Sequence, residues 1–293
     1  MDIHLAPTHI YALNPSLDFE AARQQAIDKR LGVVAGGLGG LLSRPKPEEV
    51  ELAYSEVRFE PFWRVVCLVR FAFERNREFH VPVSGAEVRQ VTLLGQEFEV
   101  AGSAPAPQPG LLQQLQQIGI GGSGVRTFSV PGVEHCVDEN RQERIIDAVT
   151  GQPLQIGAEY VQKDKTELPD LDSLTASDAL VVLPQTSAAK IAKTLLATMI
   201  KPVQADRILE EVTRFETLDL YFRPVYAFEF VWKPKNKTGV AEIDGVTGVL
   251  GNGKALHAKS EKLTSREGLF DINESTATSI MPSATSNVRL VVE

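Results

Sequence analysis

Few residues of this chain have both the type and the spacing for chemistry. Two aspartates, Asp147 and Asp244, sit in near-identical phrases, Ile146-Asp147-Ala148-Val149-Thr150-Gly151 and Ile243-Asp244-Gly245-Val246-Thr247-Gly248. Paired carboxylates can act as general acid and base when their surroundings push their pKa values apart. Spacing alone supplies no such difference, and the shared context predicts an Asx-type turn at each site, with glycine where φ must be positive. His135-Cys136 sets an imidazole beside a thiol, yet neighbours in a strand point to opposite faces. His4, His9, His80 and His257 lack metal-ligand spacing, and no Cys pair exists to form a zinc knuckle. Gly122-Ser123-Gly124 resembles part of a nucleophile elbow, but Val125 stands where its final glycine belongs.

Two glycine-rich stretches match phosphate-binding patterns in composition but not in context. Residues 119–124 carry the glycines of a dinucleotide loop, with helix-like sequence leading in and a strand-like run, 125–130, leading out. A pyrophosphate site needs the reverse order, because a helix N-terminus holds the anion. Gly248 to Lys254 has the spacing of a P-loop, but Ala255 replaces the hydroxyl that would ligate magnesium. The sequence therefore predicts no catalytic residue, no cofactor and no metal. The residues best placed for a partner are basic: Arg75 and Arg77, and Lys235 and Lys237, each pair flanking an asparagine at what reads as a hairpin tip. Such tips could touch phosphate, lipid headgroups or an acidic protein. The plainer reading is a solvated hairpin end that blocks edge aggregation.

The elements that position these residues read as a duplication. Val57 to Val65 and Leu220 to Phe228 both carry an aromatic two before and two after a proline, Pro61 and Pro224. Apolar residues then alternate, through Trp63, Val65, Cys67, Val69, Phe71 and Phe73, and through Tyr226, Phe228, Phe230 and Trp232. This is the strand period in β-branched and aromatic residues. Return strands are expected at 78–83 and 238–243, and a third, partial hairpin at 133–146 with a polar turn at 138–141. Helices are expected at 19–31, 188–200 and 205–215, from apolar spacing and the Lys-Pro pairs at 46–47 and 201–202. The resulting fold class is α+β: duplicated helix plus antiparallel β-hairpin units with mostly antiparallel sheet. Its boundaries are 1–100 for a first repeat, 101–126 for a linker or mobile loop and 127–178 for a smaller hairpin segment. A second repeat spans 179–253, and a polar arm with a terminal strand spans 254–293.

The 293 residues are 43% hydrophobic and 23% charged, an ordinary soluble composition. A formal net charge of −8 gives no global basic field for nucleic acid. No apolar run approaches the roughly 20 residues of a membrane span. Acidic Asp2 and the missing basic n-region predict no secretory signal. With only Cys67 and Cys136, a reducing cytoplasmic setting is expected.

The phrases at 145–154 and 241–250 resemble the closing hairpin of PepSY-type domains, which ends on an Asp-x-x-Thr-Gly turn. The resemblance implies a helix paired with a small antiparallel sheet, in mostly non-catalytic binding or inhibitory modules. The functional expectation is a non-catalytic binding or assembly module, taking a protein partner or self-associating through the terminal strand 288–292. The alternative is a hydrolase or ligand-processing enzyme with a site in the cleft between repeats.

Overall fold

The computed structural model describes residues 2–35, 45–101, 126–175, 179–252, 266–272 and 289–292. The glycine-rich loop at 119–124, the connector between 102 and 125, Lys254, His257 and most of the polar arm lie outside the described residues. In chain order the elements are β1 Asp2–Leu5, β2 Ile10–Leu13, α1 Phe19–Ala35, β3 Val50–Val83, β4 Gln90–Leu93, β5 Gln96–Glu99 and β6 Arg126–Asp147. They continue with α2 Gly157–Tyr160, β7 Lys165–Leu168, α3 Asp172–Thr175, β8 Leu180–Val181, α4 Ala188–Met199 and β9 Arg207–Trp232. The last are β10 Lys237–Asp244, β11 Leu250–Asn252, α5 Arg266–Phe270 and β12 Arg289–Val292.

Strands make up 54% of the described residues and helices 20%, which corrects the α+β expectation of duplicated helix-plus-hairpin units. Ten strands join one mixed sheet, with the path β11-β10-β9-β1-β12 and further pairings of β2, β3, β6, β7 and β8. Antiparallel pairs such as β9–β10 and β2–β7 coexist with parallel ones, β1 with β12 and β9, β2 with β9, and β3 with β8. β12 thus pairs in register with β1 of its own chain, from Asp2↔Arg289 to Leu5↔Val292.

Three local expectations fail for identifiable reasons. Residues 75–77 do not turn: β3 runs unbroken for 34 residues. The Asn76 N–H donates to Asp206 Oδ2 at 2.6 Å, the Arg75 guanidinium lies 4.9 Å over the Phe73 ring, and Arg77 pairs with Glu134 at 3.5 Å. Polar residues here line a strand. By contrast, Asn236 follows a 3-10 turn containing Pro234 and adopts φ 47°, so the Lys235–Lys237 tip is a true turn. The polar stretch 138–141 is also straight within β6, carrying cross-strand pairs such as Arg141–Glu216 at 2.8 Å. Residues 207–215 are strand, although Ile208, Leu209 and Val212 have helical spacing. β-branched Val212 and Thr213 suit a strand, and β1 binds alongside at 212–215.

The described chain forms two compact units, one of residues 1–70, 139–201 and 212–293, the other of 71–138 and 202–211. β3, β6 and β9 contribute residues to both. In the larger unit, α1 presents Ala22, Ala26 and Val34 to Tyr226, Phe228, Phe230 and Trp232 of β9 and to Ala241 and Ile243 of β10. The approach is close because position 239 is glycine, where a Cβ would come within 2.7 Å of the Val33 carbonyl oxygen. A second cluster gathers Leu13, Phe62, Tyr160, Tyr221 and Val246. The alternating faces expected from the sequence are buried throughout, Trp63 to Phe73 on β3 and Tyr226 to Trp232 on β9. α4 is capped by Ser187, whose side chain accepts from the Lys190 N–H, and buries Ile191, Leu195, Leu196 and Met199. The smaller unit includes the β4–β5 hairpin, closed by Leu94 and Gly95 at φ 51° and 79°, the positive values a two-residue turn requires.

Candidate functional site

The two Asp-x-x-Thr-Gly phrases build the same turn. Asp147 Oδ1 accepts from the Val149 and Thr150 N–H groups at 2.9 and 2.8 Å, and Asp244 Oδ1 from those of Val246 and Thr247 at 3.0 and 2.8 Å. The Gly151 N–H reaches the Asp147 carbonyl and the Gly248 N–H the Asp244 carbonyl, each at 2.8 Å, with both glycines near φ +70°. Ala148 N donates to the Pro61 carbonyl and Gly245 N to the Pro224 carbonyl, at 3.1 and 2.9 Å. These are Asx turns, as the sequence context predicts, and each aspartate spends one carboxylate oxygen on its own backbone.

The match fixes what meets between the turns. The residues preceding the two prolines are Glu60 and Arg223, and they form an ion pair, Nη2 to Oε2 at 2.8 Å. Arg223 Nη1 also donates to Asp244 Oδ2 at 3.0 Å and to the Tyr160 hydroxyl at 2.7 Å. That hydroxyl donates to Asp244 Oδ2 at 2.5 Å. Beside this knot, fully buried Arg58 pairs with Glu56 at 3.1 Å and with Glu242. Burial works against the Arg223 charge, but Glu60, Tyr160 and Asp244 outweigh it and raise its pKa. Burial raises the Tyr160 pKa; Arg223 opposes this and Asp244 reinforces it. Both groups therefore hold their protons at neutral pH, so the knot stores charge rather than exchanging protons.

Small cavities flank the Glu60–Arg223 pair on either side. One, of about 170 Å³, lies against the first turn, with Asp147 and Thr150 opposite Phe62 and Leu154. The other, of about 130 Å³, lies against the second, with Asp244 and Thr247 opposite Val225, and with Tyr160 in its wall.

Other titratable groups are distributed elsewhere. His9 Nδ1 meets Glu167 Oε1 at 2.7 Å, near Asp219, whose carboxyl is raised by burial although the His9 N–H opposes the shift. Lys165 stands 4.9 and 5.2 Å over the Tyr11 and Tyr221 rings. Burial pushes the Cys67 thiol up to about 12, with Glu216 adding to the effect, which suppresses the reactive thiolate. In the smaller unit, His135 turns to Glu74 at 3.3 Å while Cys136 is half-buried, and Ser129 Oγ lies 2.9 Å from His80 Nδ1. Among the described residues no group of His, Cys, Asp and Glu could hold a metal ion, and no helix is long and apolar enough to cross a membrane.

Of the basic residues singled out from the sequence, Arg75 and Arg77 lie within β3 in the smaller unit, engaged with Phe73 and Glu134. In the larger unit, Lys235 stands 4.7 Å over the Trp232 ring and Lys237 Nζ donates to the Ala35 carbonyl at 3.2 Å. The sequence reading missed Glu60, Tyr160 and Arg223. The first and last were legible as opposite charges at the matched positions before Pro61 and Pro224.

Among the described residues the smaller unit also has a sheet edge with no strand paired along it. Among the described residues β6 pairs with β3 alone, apart from a single bridge from Thr127 to Ala101 and one from Ile146 to Pro153. In its 126–138 portion Val133 and Val137 are 48% and 61% exposed. Comparison with family models, curated proteins and solved structures finds no match to this chain.

Proposed function

We propose that the protein is a non-catalytic binding or assembly module that joins a second copy of itself along the outer edge of β6 in the smaller unit. The observation that carries this reading is the open edge with its two exposed valines. A strand edge of this length, unpaired among the described residues, presents a row of backbone donors and acceptors that template pairing. Laid antiparallel about His135, two copies bring Val133 of each opposite Val137 of the other, a self-complementary two-fold arrangement of apolar cross-strand pairs. The resemblance of the two turns to PepSY-type domains, mostly binding modules, agrees with this reading. Light scattering across a concentration series tests the assembly. The expected result is a two-chain mass that falls to one chain when Val133 and Val137 are both replaced by lysine, a residue that blunts edges. A one-chain mass at every concentration, or a dimer indifferent to the double substitution, overturns the proposal.

A further inference from the structure

The two cavities beside the Glu60–Arg223 pair share matched lining positions, Phe62 with Val225, Asp147 with Asp244 and Thr150 with Thr247, but their aspartates are not equally engaged. At the second turn, Tyr160 reaches Asp244: its ring packs with Phe62 at 5.6 Å between centroids, and its hydroxyl donates to Oδ2 of Asp244. At the first turn, Asp147 uses Oδ1 for its own backbone as Asp244 does. Among the described residues its Oδ2 has no hydrogen-bond partner, and the half-buried Asp147 lines the cavity on this side. Its walls are Pro61, Phe62, Leu154 and Val182, with Glu60 and Arg223 at one side.

We infer that this cavity is a binding slot for a phenol-type group, an aromatic ring carrying one hydroxyl donor. The chain itself supplies the precedent at the matched turn, where a tyrosine satisfies the corresponding aspartate. The volume agrees, since about 170 Å³ is close to the roughly 150 Å³ apolar cavity known to hold benzene. The chemistry agrees as well. A phenol has an apolar body for the walls and a polar tip for the carboxylate. An ammonium group would gain from Asp147 but would enter beside the Arg223 charge and lose its hydration against apolar walls. The phenol could be a tyrosine side chain of a bound polypeptide or a free small molecule. This slot is in the larger unit and does not depend on assembly through β6.

The test is a titration of the full chain followed by amide chemical shifts, with p-cresol, 4-methylanisole and benzylamine as probes. p-Cresol is expected to shift the amides of Val149, Thr150 and Leu154 and to bind about tenfold or more tighter than 4-methylanisole, which cannot donate to a charged acceptor. Asp147→Asn, which keeps the turn acceptor but replaces Oδ2, should abolish that preference. Leu154→Trp, which fills the slot, should abolish the shifts. Equal affinity for p-cresol and 4-methylanisole, a preference for benzylamine, or shifts mapping elsewhere overturns the inference. The comparison of probes on the unaltered chain keeps the test decisive if a variant fails to fold. A tyrosine-containing tripeptide amide binding tighter than p-cresol assigns the slot to a polypeptide partner, and the reverse order assigns it to a free phenol; binding by neither refutes it.

Discussion

Replacing Arg223 by methionine tests whether the polar knot stabilises the larger unit. The Arg223 side chain is 19% exposed, and its partners Glu60 and Asp244 are 12% and 9% exposed. It makes three charge-assisted contacts, to Glu60 at 2.8 Å, Asp244 at 3.0 Å and the Tyr160 hydroxyl at 2.7 Å. Methionine keeps much of the apolar stem but leaves two nearly buried carboxylates without their shared cation. Breaking a buried pair from one side costs about 3–5 kcal/mol, mostly the penalty of the charge left behind. Lys233 provides the contrast. Its pair with Glu51 is shorter, 2.6 Å, but the two side chains are 61% and 57% exposed. Water screens them, so Lys233→Met should cost less than about 1 kcal/mol. Burial, not distance, decides the order. Arg223→Lys should recover little, because a point charge cannot span Glu60 and Asp244 as the guanidinium fork does. Guanidinium chloride melts of the three variants measure this. A cost for Arg223→Met below about 1 kcal/mol, or one equal to that of Lys233→Met, refutes the reasoning.

Two further outcomes follow from the titratable groups. A thiol reagent at pH 8 should modify Cys136 alone in the native chain and both cysteines after unfolding, because burial raises the Cys67 thiol to about 12; rapid labelling of two thiols in the native state would contradict that burial. The Asp219 carboxyl is raised by burial above its ordinary 3.8, so the folded state binds its proton more readily than the unfolded state and stability falls as pH rises through that window. Asp219→Asn, which still accepts from His9, should remove this part of the decline in urea midpoints measured between pH 4 and 7, and an unchanged slope would show that Asp219 does not contribute.

What the sequence disclosed and what it hid divide along physical lines. Alternation identified the buried faces at Trp63–Phe73 and Tyr226–Trp232, because period-2 burial is written directly in residue type. The turns at Asp147 and Asp244 were legible because glycine and Asx chemistry are local. Residues 75–77 misled because Arg-Asn-Arg has the polarity of a turn, while its strand conformation depends on Asp206 and Glu134, far away in sequence. Residues 205–215 misled because helical spacing was present and the deciding partner, β1, lies some two hundred positions earlier. Likewise, the polar knot was only half visible. Glu60 and Arg223 occupy matched positions, but nothing near Tyr160 in sequence announces that it reaches Asp244.

The placement of the first elements has a consequence for synthesis on the ribosome. β1 lies along residues 212–215, β2 along 220–222, and α1 against β9 and β10. Apart from β7 and β12, the partners of residues 2–35 therefore lie about 200 positions later in the chain. At translation rates of 5–20 residues per second, roughly 200 intervening residues hold α1 without its binding surface for about 10–40 s. A 17-residue helix whose buried stripe is mainly alanine and valine is marginal alone in water. During that interval the nascent chain presents β3, with its row of Trp63, Val65, Val69, Phe71 and Phe73, before β9 exists to pair with it. The order of synthesis thus places the packing of α1 on β9 and β10 after residue 243 has been made.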